Sequence, residues 1–134
     1  MRSPIPSFGD GHSVNALVVD DSAVMRKVLI GALARLDITE VDQASNGLEA
    51  LVLASKQPYD VILMDWNMPN LNGYDTIVKM RALGIESPIV MVTTEAEKTN
   101  IIRALKAGAN NYVVKPFEPH VLLDKIKATL NPEN

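Results

Sequence analysis

Val61-Ile-Leu-Met-Asp-Trp-Asn-Met-Pro-Asn-Leu-Asn-Gly73 begins with four apolar residues and turns polar at once at Asp65. Four apolar residues in a row, without alternation, suit a strand buried on both faces. Such strands belong to parallel sheets covered by helices on each side. Asp65 ends the apolar run, and the Asn, Pro and Gly that follow are turn formers.

The same grammar recurs outward from this stretch. Ala16-Leu-Val-Val19, Ile89-Val-Met-Val92 and Tyr112-Val-Val114 are also short apolar runs, with a weaker candidate at Val41 to Ala44. Each is too short for a stable helix and reads as a strand. The intervening segments carry helical spacing. Between Ser22 and Leu36, Val24, Met25, Val28, Leu29, Ala32, Leu33 and Leu36 recur every three or four residues, predicting a buried stripe on a helix capped by Asp21 or Ser22. Leu48, Leu51 and Val52 predict a second stripe after Ser45-Asn46-Gly47, and Tyr74 to Leu83 a third helix. Ile101, Ile102 and Leu105 mark a fourth, closed by Gly108, and Pro119 to Leu130 a fifth that buries Val121, Leu122 and Ile126. Five strand-then-helix units predict an α/β fold, a doubly wound five-stranded parallel sheet with right-handed crossovers.

At 134 residues the chain suits one domain, placed at 14–131, with 132–134 as a short tail. Residues 1–13, rich in Pro, Gly and Ser, are expected to form a disordered tail. A 47% apolar content with 22% charged residues predicts an ordinary core, and a net charge of −3 argues against direct nucleic-acid binding. The absence of cysteine excludes disulfides and thiolate metal sites. No apolar run approaches a membrane span, so membrane insertion is not expected and a cytoplasmic location is.

In doubly wound sheets ligands bind beyond the carboxyl ends of the strands. Asp20 and Asp21 follow the first strand, Asp65 the third, Thr93 the fourth and Lys115 the fifth. Strands lie about 4.8 Å apart, so these groups can converge on one pocket. Three crowded carboxylates require a cation, and hard oxygens without His or Cys favour Mg²⁺, with Mn²⁺ a possible substitute. Lys115 would neutralise a phosphoryl oxygen and Thr93 would add a hydroxyl donor, leaving a carboxylate to act as nucleophile on phosphorus. Local chemistry alone leaves all three carboxylates as candidates for that role.

Val18-Val-Asp-Asp21-Ser, Met64-Asp65-Trp-Asn-Met-Pro69 with Asn72-Gly73, Thr93 after its apolar run and Tyr112-Val-Val-Lys115-Pro-Phe117 together resemble the receiver domain of two-component response regulators. The likeness extends from about Val14 to Leu130 and is strongest to single-domain, CheY-like members of chemotaxis type. It implies the flavodoxin-like (βα)5 fold with strand order 2-1-3-4-5. It also implies that Asp65 is the phosphoacceptor and that Mg²⁺ is held by Asp20, Asp21, Asp65 and the backbone carbonyl of Asn67. Lys115 and Thr93 would contact the phosphoryl group, and the Lys115–Pro116 peptide would be cis. Thr93 and Tyr112 would form the switch, reshaping the face made by the fourth helix, fifth strand and fifth helix. Asn67, Thr94 and Glu95 would tune the kinetics, Thr94 because many relatives carry a smaller residue there.

The expected partners are a CheA-like sensor histidine kinase as phosphodonor and a downstream protein, with a flagellar motor switch protein one candidate, and the domain is expected to be monomeric and not an enzyme. Rival readings are a receiver cut from a longer regulator, a single-domain phosphorelay adaptor, a haloacid-dehalogenase-like phosphatase and a pseudo-receiver. The phosphatase family carries a second Asp two residues after its nucleophile, where this chain has Asn67. A pseudo-receiver would lack a pocket group, and none is missing.

Overall fold

The computed structural model describes residues 13–132, so the expected tails lie outside the described residues except for Ser13 and Pro132. Five strands alternate with five helices: β1 (Asn15–Val19), α1 (Ala23–Ala34), β2 (Glu40–Ala44), α2 (Gly47–Lys56), β3 (Val61–Met64), α3 (Gly73–Ala82), β4 (Ile89–Thr93), α4 (Lys98–Ala107), β5 (Asn111–Val114) and α5 (Pro119–Leu130). The sheet is parallel, in the order β2-β1-β3-β4-β5. Val19 pairs with Met64, so Asp20 and Asp65 leave adjacent strands at the same level.

Alternate residues of the central strands face opposite sides, as the strand period of two requires. Ala16, Val18, Leu63 and Val92 pack with Leu29 and Leu33 of α1 and Leu122 and Ile126 of α5. Leu17, Val19, Ile62, Met64 and Met91 pack on the other side against Ala50, Ala54, Ile77, Met80 and Ala104. All of these are shielded from water, which is the main drive for this arrangement.

The helices form where expected but bury narrower faces. Val24 and Val28 of α1 are exposed, while Leu29, Leu33 and Leu36 are buried. In α2, Leu48 and Val52 are exposed and the buried residues are Gly47, Ala50 and Ala54. The cause is close approach: a Cβ at Gly47 would collide with the Thr76 hydroxyl and the Leu71 carbonyl. Ile102 and Leu105 of α4 are likewise exposed and Ala104 alone is buried, while in α5 Val121 faces water. β5 is an edge strand; only Val113 is buried in it, so it departs from the expected run buried on both faces.

Polar residues fix the helix starts. Ser22, not Asp21, caps α1, its hydroxyl accepting the Met25 amide at 3.1 Å. Asn46 and Asn72 cap α2 and α3 in the same way. Gly108 closes α4 at φ 127°, a backbone angle that favours glycine.

Candidate functional site

The strand ladder continues one residue past β1, β3 and β5 and carries the polar groups with it. The Asp20 amide donates to the Ala44 carbonyl at 3.1 Å, the Asp65 amide to Val19 at 2.9 Å and the Lys115 amide to Thr93 at 2.8 Å. Carboxylate oxygens of Asp20, Asp21 and Asp65 consequently lie within 4.8 Å of one another. Asp20 and Asp65 are buried and Asp21 is exposed, so the cluster opens to solvent on one side. Lys115 reaches in from the end of β5, its ammonium 2.8 Å from Asp20 Oδ2 and 3.5 Å from Asp65 Oδ2. The Lys115–Pro116 peptide is cis.

Backbone amides orient both buried carboxylates. Asp20 Oδ1 accepts the Ser22 amide at 2.9 Å and Asp65 Oδ1 the Trp66 amide at 2.7 Å. Gly73 completes the support from below: a Cβ there would run into the Asp65 carbonyl, and its amide donates to the Trp66 carbonyl at 2.8 Å. Burial pushes the Asp65 carboxyl above the ordinary aspartate range, and the Asp20 charge adds to this. A hydrogen bond from Thr93, the Lys115 charge and the Trp66 amide pull it back.

The donor set fits a hard divalent cation. Three carboxylates against one ammonium leave two negative charges uncompensated, and every candidate ligand is an oxygen. Among the described residues, no other group of three or more His, Cys, Asp or Glu side chains comes together in this way. A groove of about 450 Å³ lies at the opposite end of the sheet, lined in part by Pro58, Tyr59, Ile85 and Ser87, and it shares no residue with the acidic cluster.

Thr93 is fully buried at the end of β4, and its hydroxyl accepts the Glu95 amide at 3.2 Å. Tyr112 is half-buried and donates its hydroxyl to the Glu95 carbonyl at 2.7 Å, so Thr93 and Tyr112 meet through one residue of the β4–α4 turn. Burial, then the charges of Glu95 and Asp65, push the Tyr112 phenol up to about 12. Asn67 and Thr94 are exposed beside the cluster. The Glu95 carboxylate is engaged by the Glu97 amide at 3.3 Å and the Asn100 side chain at 3.1 Å, both at the start of α4.

Sequence reading did not anticipate Trp66, Tyr74, Asn100 and Arg103 as neighbours of this site. The Trp66 and Tyr74 rings stack with centroids 5.4 Å apart and planes 15° apart, and the Arg103 guanidinium lies 4.6 Å from the Tyr74 ring centre. Arg103 also donates to the Asn100 side chain at 2.9 Å. Their pairing depends on how α3 and α4 face each other, which no local motif encodes.

Residues 16–127 match the model of the response regulator receiver domain. The chain is 47% identical over 117 residues to the chemotaxis protein CheY1 of Helicobacter pylori, covering 85% of this chain and 94% of that protein. It is equally similar, at 47%, to a chemotaxis protein CheY homolog of Campylobacter jejuni, with 85% and 90% covered. Among solved structures, Vibrio cholerae chemotaxis protein CheY4 superposes with a TM-score of 0.81 at 34% identity, covering 89% of this chain and all of that one. A receiver domain of a Pseudomonas aeruginosa sensor histidine kinase, with a magnesium ion coordinated in its active-site cleft, superposes with a TM-score of 0.79 at 31% identity over 90% and 99% of the two chains.

Proposed function

The chain belongs to the response regulator receiver domain family, and on that premise we propose that Asp65 accepts a phosphoryl group from the phosphohistidine of a sensor histidine kinase. The observation that carries this reading is the convergence of Asp20, Asp21, Asp65, Thr93 and Lys115 at one edge of the sheet. An Asp65 carboxylate oxygen forms the new O–P bond as the N–P bond to the histidine breaks. Asp65 suits this role because its carboxylate, held by the Trp66 amide and the Thr93 hydroxyl, lies within reach of the Lys115 ammonium without being its nearer partner. Asp20, by contrast, already accepts both Lys115 and the Ser22 amide.

Asp20, Asp21, Asp65 and the Asn67 carbonyl would hold Mg²⁺, which would supply charge neutralisation. Lys115 and the Thr93 hydroxyl contact the phosphoryl oxygens. Once Thr93 turns to the phosphoryl group, its bond to the Glu95 amide is released, and the β4–α4 turn and Tyr112 adjust together. The face of α4, β5 and α5, which exposes Ile102, Leu105, Val114 and Val121, then changes shape for a protein partner. Asn67, Thr94 and Glu95, beside the pocket, tune how fast water removes the group.

The unit is residues 14–131, acting as a monomeric switch and not as a turnover enzyme. Similarity to chemotaxis proteins supports a CheA-like kinase as donor and a flagellar motor switch protein as receiver of the signal, in the cytoplasm. Among the described residues no helix is long and apolar enough to cross a membrane. The test is incubation with Mg²⁺ and a small phosphodonor, followed by mapping of the label. One label on Asp65, abolished in Asp65→Asn and without turnover of a free phosphate ester, is expected. Label that persists at the same place in Asp65→Asn sinks the assignment.

A further inference from the structure

Helix α4 carries the proposed output face, yet Ala104 is its one buried residue. Packing on the sheet therefore leaves much of its orientation to side-chain contacts with α3. At the carboxyl end Arg81 donates through Nη2 at 2.8 Å and Nε at 3.2 Å to the Gly108 carbonyl. From the middle of the helix Arg103 lies over the Tyr74 ring while its Nη1 donates to Asn100 in the first turn.

Asn100 passes this hold to the β4–α4 turn. Its amide nitrogen donates to the Glu95 carboxylate, which also accepts the Glu97 amide. Glu97, the cap residue of α4, makes no side-chain cap bond, so Glu95 supplies the acceptor that the helix start lacks. The same Glu95 residue gives its amide to Thr93 and its carbonyl to Tyr112. On the far side, Tyr74 stacks on Trp66, whose amide is bonded to Asp65.

We propose that Tyr74 and Arg103 are positioning residues that hold the β4–α4 turn in the shape that receives the Tyr112 hydroxyl, so that the ring stack beside Asp65 biases the switch before any phosphoryl transfer. This rests on the reading of Tyr112 as part of the switch. A planar guanidinium can lie on a ring and donate in its own plane to Asn100, a combination that a lysine ammonium does not reproduce. The path reaches Glu95 through its carboxylate, from the α4 side, whereas Thr93 meets the same residue at its amide.

The test uses the whole chain without phosphodonor and follows the ratio of docked to undocked Tyr112 by NMR of labelled tyrosine rings. Arg103→Ala and Tyr74→Leu are each expected to lower that ratio about two- to fivefold, the scale of one exposed cation–π contact. The double variant should fall no further than the larger single effect, because both act through one chain. Tyr74→Phe, which keeps the ring, should retain the wild-type ratio. Unchanged ratios in both single variants, or a double variant equal to the product of the two, would overturn the proposal. Mg²⁺-dependent labelling is measured on the same proteins. Failure of the wild type to label at Asp65 would count against the phosphoacceptor reading alone, whereas normal labelling with unmoved ratios would count against the positioning role alone.

Discussion

The Lys115 ammonium is closer to Asp20, at 2.8 Å, than to Asp65, at 3.5 Å. Lysine thus offsets the charge of the buried Asp20 carboxylate while remaining within reach of the proposed acceptor. Lys115→Ala would leave Asp20, buried and held otherwise by the Ser22 amide, beside two other carboxylates. Without Mg²⁺ this variant should lose about 3 kcal/mol in urea unfolding, the scale for one partner removed from a buried pair, and Mg²⁺ should restore part of it. A loss below ~0.5 kcal/mol would mean that the pair does not offset the buried charge.

The Asp65 carboxyl is raised chiefly by burial. A carboxyl that holds its proton more tightly in the fold than in the unfolded chain stabilises the fold below its ordinary value of 3.8, and this contribution disappears as pH rises through the raised value. At neutral pH the ionised group works against folding. Asp65→Asn should therefore be more stable than wild type at pH 7 by about 0.5–2 kcal/mol. The advantage should shrink as the solution is acidified, which thermal unfolding across a pH series will read. A constant difference across that series contradicts the burial argument.

Magnesium should stabilise the fold by mass action. At ten times its dissociation constant the gain is about 1.4 kcal/mol, or roughly 5 °C in the unfolding midpoint of a domain of this size. Asp21 is exposed, so Asp21→Asn should fold normally and lose most of that gain. An undiminished magnesium shift in Asp21→Asn would remove this residue from the ligand set.

Tyr112 provides an alkaline signature. Its phenol is pushed up to about 12 by burial and by the Glu95 and Asp65 charges, against an ordinary value of 10.0. The neutral phenol supports the fold fully below pH 10, and that support is lost as pH rises through about 12. Wild type should lose this increment over that window and Tyr112→Phe should not. Parallel curves for the two proteins would show that the hydroxyl is not held as described.

The apolar runs at Ala16–Val19, Val61–Met64 and Ile89–Val92 were sufficient to place the central strands, because burial on both faces leaves no polar residue in them. From those strands the polar residues at their ends followed. The helix faces were less legible. Periodicity gives weight to bulky residues, yet Ala50, Ala54 and Ala104 make the buried contacts where helices approach closely, and Val24, Leu48 and Val52 remain in water. The Tyr74 and Arg103 contact was hidden for a related reason: it depends on the rotation of α4 about its own axis, and one buried alanine does not announce that rotation in sequence.

Gly73 gives the cleft two unlike walls. On one side the Asp65 carbonyl rests against a bare Cα, and the chain there is locked by the bond between Gly73 and Trp66. Opposite it, Thr93, Glu95 and Tyr112 are joined by hydrogen bonds that can be exchanged singly. The arrangement resembles a vice with unlike jaws: the Asp65 side is pinned by backbone packed on backbone, and the facing side is joined through the Thr93 and Tyr112 hydroxyls.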